Sequence, residues 1–241
     1  PAEANSSGYY SYNGELYCPQ LANSYVTSST QKTYFTDGTE IKRGLKYWFK
    51  VEPIEWKVLD DDGELFLTSS ILLDAMNYNE EYNLEKIATD YQGNTGVAFC
   101  NNYKYSKIRS WLNTDFYNMA FASENSRIKT VEVDNSASTV DEKAIHFVCE
   151  NTNDKVFLLS YSDLVNDAYG FSSAKSILCK TTDFAICRSF QVNENSEYQY
   201  YWTRSPYSYQ TAAEYVTSAG IFGGAPTSHL YGVRPAIKLS K

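Results

Sequence analysis

The only imidazoles in the chain are His146 and His229, so chemistry that leans on histidine has two places to occur. Neither lies at ligand spacing from a second histidine, which excludes a histidine-rich metal site and the helical twin-histidine zinc motif. No G-x-S-x-G occurs, and a Ser-His-Asp set would have to be assembled from residues that no motif marks. Cys18, Cys100, Cys149, Cys179 and Cys187 form an odd set without C-x-x-C. That removes the zinc-ribbon and redox signatures and leaves at least one thiol free in a monomer. Cys179 and Cys187 are near enough in sequence for a local bridge, with buried reduced thiols as the competing reading. Asp60, Asp61 and Asp62 precede Gly63 without the alternating ligands and distal glutamate of an EF-hand, so they read as a hairpin turn. No catalytic residue, metal ligand or cofactor is expected.

Residues suited to binding are easier to find. Tyr200, Tyr201, Tyr207 and Tyr209 surround Trp202 where the pattern passes from a strand into a loop. Such a cluster can stack on sugar rings or form a tyrosine-rich rim to the core. Arg204 and Arg234 hold similar places in two terminal strands. Half-buried there, each would need a carboxylate such as Glu52, Glu55 or Asp163. The alternative is a fork that clamps an acidic ligand, a sialic acid or a C-terminal carboxylate. The candidate ligand-binding set is Trp202, Arg204, Tyr207, Tyr209, Tyr215, His229 and Tyr231, on loops around residues 191–231. Trp48, Trp56 and Trp111 sit at regular positions in strand and helix patterns and read as core.

The chain has 241 residues, 43% of them hydrophobic, enough for one full-sized core. Its net charge of −8, with no basic cluster longer than Lys42-Arg43, argues against nucleic acid as a partner. Apolar runs such as Val156 to Leu159 are far short of the roughly 20 residues a spanning helix needs, so no membrane insertion is expected. Twenty-two tyrosines and abundant small polar residues describe a surface that contacts ligands without needing charge. The sequence begins at Pro1 without an apolar signal segment. Export is therefore an expectation from character, with any signal or anchor outside this sequence.

The elements that must position these residues follow from pattern. Residues 1–32 lack a sustained period and read as an extension packed on, or leading into, a single α+β domain over 33–241. Lys46 to Leu59, broken by Pro53, reads as strand, then a turn at Asp60 to Gly63, then a second strand in ELFLTSS. Ser106 is a fitting N-cap for helical spacing at Ile108, Trp111, Leu112, Phe116 and Met119, which Asn113 should divide into two short helices. A strand is expected at Ile128 to Val133. DKVFLLS (154–160) reads as a buried strand whose Ser160, with Asp163, opens a helix through a capping box that ends near Gly170. A short helix is expected from Thr182. Strands close the chain at Tyr200 to Arg204, Glu214 to Ser218 and Gly232 to Leu239, with a turn at Gly223-Gly224. Short helices between strands make the class α+β.

EPIEWKVL (52–59), IRSWLNTDF (108–116), DKVFLLS (154–160), WTRSP (202–206) and GVRPAI (232–237) occur in an order that resembles an uncharacterised domain family of secreted and surface proteins of gut Firmicutes, over roughly residues 33–239. The WTRSP and GVRPA strands are also similar to the C-terminal region of C-type-lectin-like folds, including the formylglycine-generating branch. The resemblance implies a C-type-lectin-like mixed sheet with short helices packed on it. The sequence departs from the calcium pattern of C-type lectins, since Glu52-Pro53 is followed by Ile54 and Trp202 by Thr203 and Arg204. Only Cys179 and Cys187 could stand for the paired cysteines of the oxidase branch, and their surroundings do not match it. The expectation is a non-catalytic, monomeric ligand-binding module, secreted or at the cell surface, whose partner is a glycan or a surface protein. The alternative is a structural domain that packs against other modules of a larger surface protein.

Overall fold

The computed structural model describes residues 3–5, 7–22, 32–80, 83–90, 92–121, 127–188, 192–193 and 196–241. In chain order the first strands are β1 (Tyr10–Tyr12), β2 (Glu15–Leu21), β3 (Lys46–Lys50), β4 (Trp56–Asp60), β5 (Glu64–Ser69) and β6 (Asp74–Asn77). The hairpin β7 (Asn83–Thr89) and β8 (Thr95–Ala98) follows, then α1 (Lys107–Trp111) and α2 (Tyr117–Phe121). Next come β9 (Val131–Val133), β10 (Thr152–Asp154), β11 (Val156–Leu158), α3 (Tyr161–Leu164) and α4 (Asp183–Arg188). The chain closes with β12 (Tyr201–Pro206), β13 (Ala212–Val216), β14 (Phe222–Pro226), β15 (Leu230–Val233) and β16 (Pro235–Ser240). The architecture is mostly strand, with mixed sheets and a few short helices.

Two sheets form the body, one ordered β11-β16-β5-β4 and one ordered β14-β13-β12-β15-β6. Every pairing in them is antiparallel except β12 with β15. Two of the chain's four passages between the sheets join strands that are consecutive and close in sequence, first β5 to β6 and then β15 to β16. The latter crossing divides the single strand expected over Gly232 to Leu239, because Pro235 has no N–H to continue a ladder. Arg234 sits at this joint, 4% exposed, and its Nε donates to the Ser69 carbonyl at 3.1 Å on the neighbouring crossing. Its guanidinium lies against the Phe171 and Tyr201 rings rather than on one of the expected carboxylates.

A third sheet, β1-β2-β3, joins residues 10–21 to the strand at 46–50. Residues 23–31 of the expected extension lie outside the described residues. In β3 the side chains alternate, with Tyr47 and Phe49 turned to the small core around Ile41 and Ile186. Trp48 therefore faces outward, 45% exposed, edge-on to Tyr10 at 5.1 Å. That corrects its reading as core. Trp56 stacks on Phe121, Trp111 lies against Phe116, and both border the main core.

Ser106 caps α1 by accepting from the Arg109 N–H, as the spacing predicts. The expected break at Asn113 is instead a π-turn over Leu112–Phe116 that carries α1 directly into α2. The widened turn frees the Asn113 amide to act as a strand edge. Its Oδ1 accepts from the Lys155 and Val156 N–H groups, and its Nδ2 donates to the Val156 carbonyl at 2.8 Å. The Asp60–Gly63 turn joins β4 to β5, with Asp60 Oδ1 accepting from the Asp62 N–H and Gly63 at φ +79°.

Ser160 and Asp163 form the expected capping box at α3. Ser160 is fully buried, so Ser160→Ala should cost about 1–2 kcal/mol and lower Tm by roughly 2–8 °C. Thermal melts of the two proteins check this, and an unchanged midpoint would show that the box contributes nothing.

Candidate functional site

The seven residues expected to bind a ligand do not form one surface. Trp202 is 1% exposed, with its indole N–H donating to the Met76 carbonyl at 2.9 Å and its ring 4.8 Å from Tyr231 and 5.6 Å from Tyr78. Arg204 is 7% exposed and bound to Asp163 and to the Leu158 and Asp134 carbonyls. Neither offers a free face to a ligand. Tyr231 is buried too, 3.2 Å from His229 Nδ1 through its hydroxyl, and desolvation pushes its phenol up. Burial pushes the half-buried His229 imidazole down.

Gly223 and Gly224 explain where two more tyrosines go. They lie inside β14 rather than at the expected turn, which falls at Thr217 to Ile221 with Gly220 at φ +75°. A Cβ on Gly223 would stand 2.9 Å from Tyr215 Cε1, and one on Gly224 2.0 Å from Tyr207 Cδ1. Each ring thus lies flat on bare backbone. Successive strand residues face opposite sides, so Tyr215, with Trp202 and Tyr231, is on one face of the sheet and Tyr207 on the other.

Tyr207 and Tyr209 remain together, edge-on at 5.6 Å, with Lys143 Nζ 5.0 Å from the centre of the Tyr207 ring. Tyr209 is 47% exposed. The turn it occupies is stitched to residues 99–102, since Asn101 Nδ2 donates to the Tyr209 and Ala212 carbonyls and Cys100 Sγ to the Gln210 carbonyl. Beside this seam a cleft of about 330 Å3 opens between the β7–β8 hairpin and a 3-10 turn at Glu142–Phe147. Its walls include Val97, Phe99, Asn102, His146, Phe147 and Gln210. Phe99 and Phe147 meet edge to face at 5.9 Å. Asn102 is buried, and its Oδ1 has no hydrogen-bond partner. The one carboxylate in the lining, Asp90, is spent on its own turn, accepting from the Gln92 and Asn94 N–H groups, and those bonds hold its pKa down. The cleft therefore offers aromatic faces and neutral amides, a chemistry for hydroxyls rather than for ions.

Behind Tyr207 lies a carboxyl that sequence patterning missed. Glu214 on β13 is 0% exposed; Thr203 Oγ1 donates to its Oε1 at 3.1 Å while Oε2 has no partner. Burial raises its pKa to about 8, with Lys143 opposing and Asp141 adding to the shift. Asn102, Phe99 and Phe147 were also missed. The adjacent Asn101 and Asn102 between aromatic residues were their one signal in the chain.

All five cysteines carry free thiols, so Cys179 and Cys187 are not bridged. Among the described residues no group of three His, Cys, Asp or Glu side chains is placed to hold a metal ion, and no helix is long and apolar enough to cross a membrane. No curated protein and no solved structure matches the chain. Residues 62–241, carrying both body sheets except β4, match the family described as "Domain of unknown function (DUF6273)", and the chain belongs to that family.

Proposed function

We propose that this protein is a non-catalytic ligand-binding module whose recognition surface is the cleft beside Tyr209, and that its ligand is a neutral saccharide. The observation that carries the reading is the lining itself, in which the Phe99 and Phe147 rings and the neutral side-chain amides of Asn94, Asn102 and Gln210 wall one cleft. Sugar hydroxyls pair with amides, and the C–H faces of a pyranose suit aromatic walls. The Tyr207–Tyr209 pair extends the surface next to the Gln210 wall. A C-type-lectin-like scaffold is part of the proposal, supported by the closing β15 and β16 strands that tie the chain's end into both body sheets. So is a place outside the cell. Burial raises the Cys149 and Cys187 thiols to about 11, which keeps them protonated and slow to oxidise there.

A glycan array tests this, run on the protein with calcium and with excess chelator, beside Asn102→Ala and Gln210→Ala. Hits should survive the chelator and weaken about tenfold or more in either variant. Hits that persist unchanged in both variants would remove the cleft from recognition. A blank array would favour a second reading, a domain that packs on its neighbours. That reading has its own observation, the outward Tyr12, Leu16, Leu21, Leu45 and Trp48 around the N-terminal sheet.

A further inference from the structure

Arg204 and Arg234, the guanidinium groups that sequence placement offers to an acidic ligand, are both consumed inside the protein. Three other cations converge on a different cleft, of about 660 Å3, between the N-terminal sheet and the edge strand β6. Arg43 comes from the turn before β3, Lys107 from the first turn of α1, and Arg188 from the last turn of α4. No aspartate or glutamate lines this cleft, although the chain carries 29 acidic residues against 21 basic ones. The partners of Arg188 and Lys107, Asp74 and Glu80, stand outside the lining, and of the three cations Arg43 alone has no ion pair with a described residue. Trp111, Gln20 and Asn77 complete the part of the lining that concerns us.

We propose that this cleft is a second binding site, for a saccharide that bears a carboxylate. Arg188 is built into position. Its Nε lies 2.7 Å from Asp74 Oδ1 and its Nη1 donates to Gln20 Oε1 at 3.4 Å, which holds the guanidinium at the seam of β2, β6 and α4. Lys107 pairs with the exposed Glu80, an ion pair that water already screens and that a bound carboxylate can replace at small cost. Arg43 is exposed and makes no ion pair with any described residue, so its fork is the one available for a bidentate grip on a carboxylate. Trp111, fixed against Phe116 at 5.3 Å, supplies a surface for the sugar ring, and the Gln20 and Asn77 amides suit its hydroxyls. The site shares no lining residue with the cleft beside Tyr209 and stands whether or not that cleft binds sugar.

Titration calorimetry with a glucuronate-terminated disaccharide and its glucose-terminated counterpart decides the matter. The charged sugar should bind the wild-type protein, and the neutral one at least about tenfold more weakly. Arg43→Glu should weaken the charged sugar about tenfold or more with Tm unchanged, because Arg43 is exposed, and Lys107→Gln should weaken it less. Asn102→Ala should leave it unaffected, which separates this site from the cleft beside Tyr209. Equal affinity for the two sugars, indifference to Arg43→Glu, or no binding of the charged sugar at about 10 mM would each overturn the proposal.

Discussion

Arg204→Met should lower folding stability by about 3–5 kcal/mol and Tm by roughly 10 °C or more. The guanidinium bridges elements from three parts of the chain. Nη1 donates to Asp163 at 2.6 Å and to the Leu158 carbonyl at 2.9 Å, and Nη2 to the Asp134 carbonyl at 3.1 Å. Removing it strands a mostly buried carboxylate and two carbonyls where water reaches them poorly, and that desolvation loss dominates any gain from the apolar replacement. Arg204→Lys keeps the charge and loses the fork, so it should recover only part of the stability. Adding Asp163→Asn to Arg204→Met removes the orphaned charge and should return about 1–2 kcal/mol. Urea denaturation of the four proteins reads all three effects, and a loss under about 1 kcal/mol for Arg204→Met would show that the pair is structurally idle.

Arg204 also shows why the sequence motifs could be read for architecture more readily than for function. The motifs answer one another in space. Arg109 of IRSWLN grips the buried Asp154 of DKVFLLS through both oxygens, and Asn113 pairs with the backbone of the same segment. Arg204 of WTRSP reaches Leu158 and Asp163, and Arg234 of GVRPA reaches Ser69. Asp154, Arg204 and Arg234 are buried polar residues, where an unpaired group would be costly, and each is paired. The Ser106 and Ser160 caps were legible because cap chemistry is set by three or four consecutive residues.

What stayed hidden depended on contacts distant in sequence. Gly223-Gly224 reads as a turn until Tyr215 and Tyr207 are seen lying on the two glycines. Trp48 reads as core until α4, through Phe184 against Phe49, is seen to take the other face of its sheet. Tyr209 is exposed, yet the walls beside it come from residues 97–102 and 146–147, which no local pattern connects to it. Trp202 and Tyr231 shared the same compositional signal and went inside. Tyrosine enrichment locates a region of the chain but not a face of the sheet.

Glu214→Gln should stabilise the protein by an amount that grows with pH. Glu214 has a folded pKa of about 8 against 4.5 for a free glutamate, with desolvation as the main cause. Between those two values the folded carboxyl keeps a proton that the unfolded one releases, so this group's contribution falls by about 1.4 kcal/mol for each unit of rising pH. It is fully present below pH 4.5 and lost by about pH 8, a swing of roughly 3–5 kcal/mol for a side chain with no solvent exposure. Glutamine keeps an acceptor for the Thr203 hydroxyl and does not titrate. The difference between variant and wild type should therefore be small near pH 5 and several kcal/mol in the variant's favour at pH 9. Other titrating groups are common to both proteins and cancel in that difference. Among them is Asp74, raised by burial to about 6 despite Arg188 beside it, which gives both proteins a smaller fall between pH 3.8 and 6. A gap that stays constant from pH 5 to pH 9 would show that Glu214 is ionised throughout. It would then need a cation, and Lys143, which lies over the Tyr207 ring and lowers the Glu214 pKa, is the group placed to supply one.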